Sequence, residues 1–379
     1  MISLSNKSPL ASVNEDEIDL EDIIHTSDET VVELNRLCGE PFQMLENWLS
    51  SPATPTKQQT IYRQHNRIPF FPSEDSKLRA TSLNIRRGGN CPNSLQVLEQ
   101  LVGDRDALQL HLVSPLPDAS SSAARRVVSS FGPQSKIDFS RCLYREGSTE
   151  TASSYILRSQ ETGSRTVVNY NDLSEMTEDE FGNIARSFEA GEETWWHFEG
   201  RIPDTVQSCI RLLRNVLPNA NISVEIEKPG REGLPQLASE VDVVFYSRSW
   251  AESRGHKTPE DCLKDEEHRK ASLALCTWGA EGAAGLSRSS GETVRCRWPA
   301  QAQAQDVYGG GISVVDAVGA GDTFIAGMLY GLICHPGDWS TGRKLGFAVQ
   351  LATLKVQREG FDGLGADMLK TADWRRLNA

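Results

Sequence analysis

The sequence predicts an α/β protein built on a doubly wound, mostly parallel sheet with helices on both faces, and a small second β-sheet beside it. Three features predict this. After Trp195, short apolar runs alternate with stretches of helical periodicity, and such alternation implies parallel strands joined by right-handed crossovers. Two earlier pairs of segments, near 77–87 and 155–170, alternate polar and apolar residues as half-buried strands do and belong to a separate sheet. Residues 314–324, ValValAspAlaValGlyAlaGlyAspThrPhe, pass from an apolar run through a small-residue turn into an apolar helix, which is where a doubly wound fold keeps its site.

The chain has 379 residues, 38% of them hydrophobic, enough for one large domain with an appendage. A net charge of −13 argues against nucleic acid, whose phosphates are bound by clustered Lys and Arg, and favours small-molecule substrates. No run approaches the roughly 18 apolar residues of a membrane span, and the N-terminus lacks the basic-then-apolar order of a secretion signal. The eight cysteines are scattered without CxxC or zinc-ligand spacing. They fit a reduced, cytoplasmic protein with no membrane or nucleic-acid partner.

Residues 1–68 read as an atypical, disordered acidic extension without a strand: 15–29 hold eight carboxylates, with a short helix possible there, and 50–60 are rich in Ser, Pro, Thr and Gln. One folded domain is predicted over 69–365, and 366–379 form a tail. In the second half, residues 195–198 (TrpTrpHisPhe), 222–226, 241–246, 272–277 and 312–315 read as buried strands. The clearest helix follows Pro203 and aligns Val206, Ile210, Leu213 and Leu217 on one face. The AlaGlnAlaGlnAlaGln run at 300–305 reads as a loop.

Gly319, Ala320 and Gly321 have minimal side chains, so their N–H groups can approach a ligand at the start of a helix, whose unpaired donors and partial positive charge suit a phosphoryl group. Asp322, placed at the same spot, suits the base that takes a proton from an attacking hydroxyl. Alone, GlyAlaGlyAsp would equally suit a tight turn and a helix cap. The order of strand, turn, Asp and amphipathic helix favours the chemical reading.

Residues 316–324 resemble the second signature of the ribokinase-type (PfkB) carbohydrate kinases, and ArgGlyGlyAsnCysProAsn at 87–93 resembles their first. HisPheGluGlyArg (197–201), SerValGluIleGluLysPro (223–229), CysThrTrpGlyAlaGluGlyAla (276–283) and GluGlyPheAspGly (359–363) are similar to the branch that phosphorylates ketohexoses. All appear in the family order. The resemblance implies a ribokinase-like fold with a lid sheet, and transfer of phosphate from ATP, with magnesium, to a sugar hydroxyl, the 1-hydroxyl of a ketohexose such as fructose. It implies sugar contacts from Gly89, Asn90 and Asn93, a phosphate contact from Arg165, and a nucleotide turn at Gly279, Ala280, Glu281 and Gly282. Asp316 resembles a position that holds potassium, though a carboxylate fixing the turn is an equal reading. It also implies a homodimer through the lid. Arg165 on residue type alone is a solvated cation, and GlyGlyAsn is also a turn leading into a capped helix.

The sequence departs from the pattern at Ala280, where the branch has an acid, at Ala317, and at Trp250, where the wider family has a magnesium-organising Glu. The largest departure is at the beginning. The family's buried first strand, ending in an Asp that grips two sugar hydroxyls, should fall at 54–65 with the Asp near Arg63. ThrProThrLysGlnGlnThrIleTyrArgGlnHis is too polar for a core strand. A replaced first segment is the favoured explanation, and a diverged paralogue that binds nucleotide without catalysis the other. Ribokinase-like or adenosine-kinase-like specificity is the nearest enzymatic alternative. A dehydrogenase lacks its GxGxxG after an early strand, and a Walker ATPase lacks GxxxxGK[ST].

Overall fold

The computed structural model describes residues 2–5, 62–103, 108–266, 270–297 and 314–371, all within the compact unit formed by Met1–Lys7 and Lys57–Ala379. In chain order the elements are β1 (Ile2–Ser5), β2 (Tyr62–Ile68), β3 (Ser82–Arg87), α1 (Asn90–Val102), β4 (Gln109–Leu112), β5 (Pro115–Pro117), α2 (Ser122–Ser129), β6 (Leu143–Arg145), β7 (Ser153–Ser159) and β8 (Arg165–Tyr170). There follow α3 (Glu178–Arg186), β9 (Thr194–Glu199), α4 (Pro203–Val216), β10 (Asn221–Ile226), α5 (Leu234–Ala238), β11 (Val243–Tyr246), α6 (Arg248–Ser253) and α7 (Pro259–Asp265). The remainder comprises β12 (Leu273–Thr277), β13 (Ala283–Ser287), β14 (Thr293–Cys296), α8 (Ala320–Cys334), α9 (Thr341–Val356) and α10 (Leu364–Lys370).

The large sheet is eight-stranded, ordered β14-β13-β12-β11-β10-β9-β1-β4. Strands β9 to β12 are parallel neighbours, as the alternation predicts, while β13 and β14 return antiparallel. The period of two along a strand divides its residues between two cores. Trp195, Val243, Phe245, Leu273 and Leu275 join residues of α1, α8, α9 and α10; Trp196, Phe198, Val224, Val244 and Tyr246 join residues of α3 to α7. Helix α4 buries Val206, Ile210 and Leu213 on one face, with Leu217 just beyond it. Helix α8 is buried nearly all round, and its Gly327 would place a Cβ 2.8 Å from the Ala348 Cα, so only glycine lets α8 and α9 approach this closely. A four-stranded sheet, ordered β3-β2-β7-β8, stands apart. Among the described residues no helix is long and apolar enough to cross a membrane.

Four sequence expectations change. The stretch 1–68 contains two strands, β1 and β2, not none. Strand β2 reads as polar because the small sheet needs only its ends buried: Tyr62 and Ile68 are buried and the five residues between are not. The first-strand place beside β9 is filled by β1, which runs antiparallel to both β9 and β4; its carboxyl end therefore points away from those of β9 to β12. Val314 and Val315 are exposed and lie in no strand, because the N–H groups of Val315 and Asp316 donate to Val356 O at the end of α9 instead of to a neighbouring strand. Helix α10 runs across the predicted domain end at 365, and its Leu364 and Met368 are buried. The acidic block at 15–29, the loop at 300–305 and residues 312–313 lie outside the described residues.

Candidate active site

The site is assembled where α8 starts. Asp316 Oδ1 accepts from the Val318 N–H at 3.0 Å and closes the preceding turn. Gly319, the N-cap of α8, lies in the left-handed region (φ 82°), and a Cβ on it would sit 2.4 Å from the Phe361 ring. Backbone and packing both require glycine there. Gly321 is different: a Cβ would meet nothing within 4 Å. The Ala320 N–H reaches Ala317 O at 3.3 Å, but among the described residues nothing accepts from the N–H of Gly321 or Asp322. The helix start thus keeps unpaired donors beside open space.

Asp322 is buried in the first turn of α8. Its Oδ2 accepts from Asn93 Nδ2 at 2.7 Å, and its backbone O accepts from Ser94 Oγ at 2.9 Å. Asn93 comes from the first turn of α1, which opens after Gly89 at φ 101°. The carboxamide of Asn93 has only one workable orientation, because its Oδ1 accepts from Arg87 Nη1 at 3.1 Å while its amide faces the carboxylate. Arg87 also donates to Gln96 and lies over the Phe131 ring, 4.1 Å from its centre. Asp322 Oδ1 has no hydrogen-bond partner among the described residues. Burial pushes the Asp322 pKa up to about 7; the carboxylates of Glu227 and Glu199 add to this, and the Asn93 bond and the charge of Arg63 oppose it.

Those acids come from the carboxyl ends of β9 and β10. Glu199 ends β9, and Gly200 allows the two strand ends to close in, since its N–H donates to Glu225 O at 2.9 Å and a Cβ would lie 2.5 Å from that oxygen. Asn90 Nδ2 bridges Glu225 Oε2 (3.0 Å) and Glu227 Oε2 (3.2 Å). Glu225 is pushed well above the ordinary carboxylate range by burial and then by Glu227, Asp322 and Glu199. Arg201 pairs with Glu199 at 2.7 Å.

Such a centre, at the carboxyl ends of parallel strands with an acid at a helix start, matches known proteins. The pfkB family carbohydrate kinase profile covers residues 59–364. The chain belongs to the pfkB family of carbohydrate kinases. Over 314 residues it is 31% identical to mouse ketohexokinase, spanning 79% of this chain and 94% of that enzyme. A stretch of 127 residues is 34% identical to an ATP-dependent 6-phosphofructokinase of Thermoanaerobacterium thermosaccharolyticum, spanning 33% of this chain and 35% of that one. Ribokinase of Thermotoga maritima superposes with a TM-score of 0.61 at 13% identity, over 83% of this chain and 98% of that one. Arabidopsis thaliana ribokinase, solved with ribose and ATP, gives a TM-score of 0.61 at 15% identity over 83% and 97%. The ribokinase-like fold and an ATP-dependent sugar kinase are thereby established.

Within this carbohydrate kinase, the structure brings Asp322, Gly319, Ala320, Gly321, Gly89, Asn90 and Asn93 together. Asp316 stands on the same turn, but its oxygens are taken: Arg86 donates to Oδ2 at 3.0 Å, and Lys355 reaches Oδ2 at 3.3 Å and the Asp316 backbone O at 3.0 Å. Two cations on one carboxylate do not fit a potassium site, and the turn-fixing reading is the one the geometry matches. Gly279, Ala280 and Glu281 form a 3-10 turn after β12, followed by Gly282 at φ 87°, whose Cβ would lie 2.1 Å from Cys296 O. That turn and Arg165, exposed at the start of β8, make no contact with the Asp322 cluster among the described residues. Sequence reasoning missed Arg87, Arg63, Glu199, Glu225, Glu227 and Phe361. Two signals marked Glu225: it lies in the family-like segment 223–229, and a carboxylate inside an apolar strand is rarely buried without a purpose.

Proposed function

We propose that this carbohydrate kinase transfers the γ-phosphoryl group of ATP to the 1-hydroxyl of a ketohexose. The bond from the sugar oxygen to phosphorus forms, the bond from phosphorus to the ADP oxygen breaks, and Asp322 takes the hydroxyl proton. Backbone N–H groups of Gly319, Ala320 and Gly321 receive the charge on the moving phosphoryl group. The observation that carries the reading is Asp322 itself, buried, held by one oxygen through Asn93, free at the other, and titrating near neutrality beside unpaired helix donors. Gly89 and Asn90 then contact the sugar, and Asn93 serves it through Asp322. Arg165 and the 279–282 turn take the nucleotide.

Magnesium fits the strand-end acids, where burial and then the neighbouring Glu227, Asp322 and Glu199 raise the Glu225 pKa well above the ordinary carboxylate range. Mg2+ binds through one or two carboxylates plus phosphates and water, so Glu227, the partly exposed member, and Glu225 would hold it. There it would supply neutralisation of phosphate charge. The face of the small sheet bearing exposed Leu83, Ile85, Val168 and Tyr170 suits a homodimer, which sedimentation would test. The free thiols of the described cysteines fit a cytoplasmic protein.

The test is ADP release by the full chain with fructose, ribose and adenosine. Fructose at least tenfold above the others in kcat/KM supports the ketohexose reading; ribose or adenosine ahead of it overturns that specificity. A second reading has its own observation: β1 runs backwards and brings no carboxyl end to the site. ATP binding without turnover on any sugar, sugar phosphate or nucleoside would favour a non-catalytic nucleotide-binding protein.

A further inference from the structure

We infer that the buried ammonium of Lys355 stands permanently where a monovalent cation would sit beneath the anion hole, so that this protein works without potassium. That the turn above it is an anion hole rests on the reading of Asp322 as the base; the place of the ammonium does not.

Lys355 is the next-to-last residue of α9, and its side chain is wholly buried. Its Nζ donates to Asp316 O at 3.0 Å, to Asp316 Oδ2 at 3.3 Å and to Arg358 O at 3.3 Å, and it lies 5.3 Å from the centre of the Phe361 ring. An ammonium has three N–H donors and no acceptor, so the three oxygens use all of them. Two backbone carbonyls and a carboxylate around a dehydrated charge are surroundings that also suit potassium, whose hydration shell carbonyl oxygens can replace. A buried ammonium is costly to keep charged. Burial accordingly lowers the Lys355 pKa, and the charge and hydrogen bond of Asp316 oppose the fall.

The oxygens belong to two segments that must meet for the site to form. Asp316 closes the turn that leads to Gly319 and the unpaired N–H groups of α8. Arg358 lies shortly before Phe361, the ring that a Cβ on Gly319 would strike. The backbone joins the same two segments, since the N–H groups of Val315 and Asp316 donate to Val356 O. Lys355 therefore fixes the turn from below and adds one positive charge near the helix start, where the charge of Asp322 acts back on it. It touches no reacting group and is a positioning residue.

The family resemblance puts potassium at Asp316. Here the oxygens that would bind the ion are already taken, and Oδ2 has Arg86 at 3.0 Å and Lys355 at 3.3 Å. A further cation on these oxygens would face two fixed positive charges in a poorly solvated place, where repulsion is strong. The lysine thus replaces the ion and excludes it.

The experiment exchanges potassium for tetramethylammonium, which is too large for the place, at constant ionic strength. Melting temperature and ADP release with fructose are read in both salts. The wild type should melt alike in the two and keep its kcat within about threefold. Lys355→Ala should melt lower in tetramethylammonium and lose at least about tenfold in kcat. Potassium should raise both saturably, at one half-saturation concentration, because the ion enters the space the ammonium left. Lys355→Met fills that space without charge; it should stay folded, lose turnover to a similar degree and gain nothing from potassium, whereas a lysine needed only for packing would be replaced by methionine without loss. A wild type more than about threefold faster in potassium overturns the inference, as does Lys355→Met with wild-type kcat or Lys355→Ala that potassium does not stabilise. If the wild type turns over no fructose in either salt, the ketohexose reading has failed instead and melting decides alone: potassium stabilising Lys355→Ala but not the wild type supports the inference, and no selective stabilisation overturns it.

Discussion

Two aspartates on one turn, Asp316 and Asp322, are held in opposite ways. Asp316 lies between the Arg86 guanidinium and the buried Lys355 ammonium and closes the turn through Val318 N–H. Its pKa is lowered, with the Val318 bond and the two cations outweighing the burial that opposes them. Asp322, six residues further on in the first turn of α8, meets Asn93 and a set of carboxylates, and burial raises it to about 7. The difference teaches how residue type and task separate. A carboxylate given two cations is a clamp with no affinity left for a proton; one denied them is costly to ionise and can act as a base.

The largest expected break in this comparison is Asp322→Asn. Loss of a positioned base should lower kcat by about 10²- to 10⁴-fold, and a variant retaining a third of the wild-type kcat would refute the assignment. Stability should not fall with it. A carboxylate whose folded pKa is raised stabilises the fold only while protonated, and that contribution is lost as pH rises from its ordinary value through about 7. Above that pH the amide removes a cost, so the variant should melt at the same temperature or higher. The acid limb of kcat/KM in the wild type should fall near pH 7, since the base must be ionised.

Asp316→Asn should show the opposite pattern. Leaving Arg86 and Lys355 partly uncompensated should cost about 1–3 kcal/mol of stability at pH 7, read in urea unfolding. A lowered pKa means stability present above the unfolded carboxylate value and lost as pH falls through the folded one. The gap between wild type and variant should therefore close below about pH 4. A gap that persists unchanged at pH 3 would mean that Asp316 acts through packing alone.

Half of this contrast could be read from sequence. GlyAlaGlyAsp followed by an apolar run is a local pattern, and it located the turn, the helix and the acid; the parallel strands β9 to β12 were equally legible from their buried runs. What escaped depends on partners distant in the chain. Lys355 lies 39 residues from Asp316, and Arg87, which orients the Asn93 amide against Asp322, looks in sequence like any loop cation before a GlyGly turn. Strand β1 is four residues long, too short for a period, and only its neighbours β9 and β4 make it a strand. The opposite error occurred at Val314 and Val315, which are apolar enough for a strand but lie beside a helix end that takes their backbone donors.

The glycines between the two aspartates give the smallest and most selective test. At Gly319, a methyl group would meet the Phe361 ring at 2.4 Å in a backbone conformation that side chains disfavour. Gly319→Ala should cost on the order of 1–3 kcal/mol, with turnover falling because Asp322 moves with the turn. At Gly321 the added methyl meets nothing and the backbone is helical, so Gly321→Ala should be neutral or stabilising by up to about 1 kcal/mol. Yet that methyl enters the open space at the start of α8, where the phosphoryl group must come close to the unpaired N–H donors. Gly321→Ala should therefore keep its melting temperature and lose at least tenfold in kcat, because the donors act on the transferring group. A protein that is both stable and fully active with alanine at 321 would show that the space is not where phosphate is transferred, and would leave Asp322 a buried acid without the anion hole its role requires.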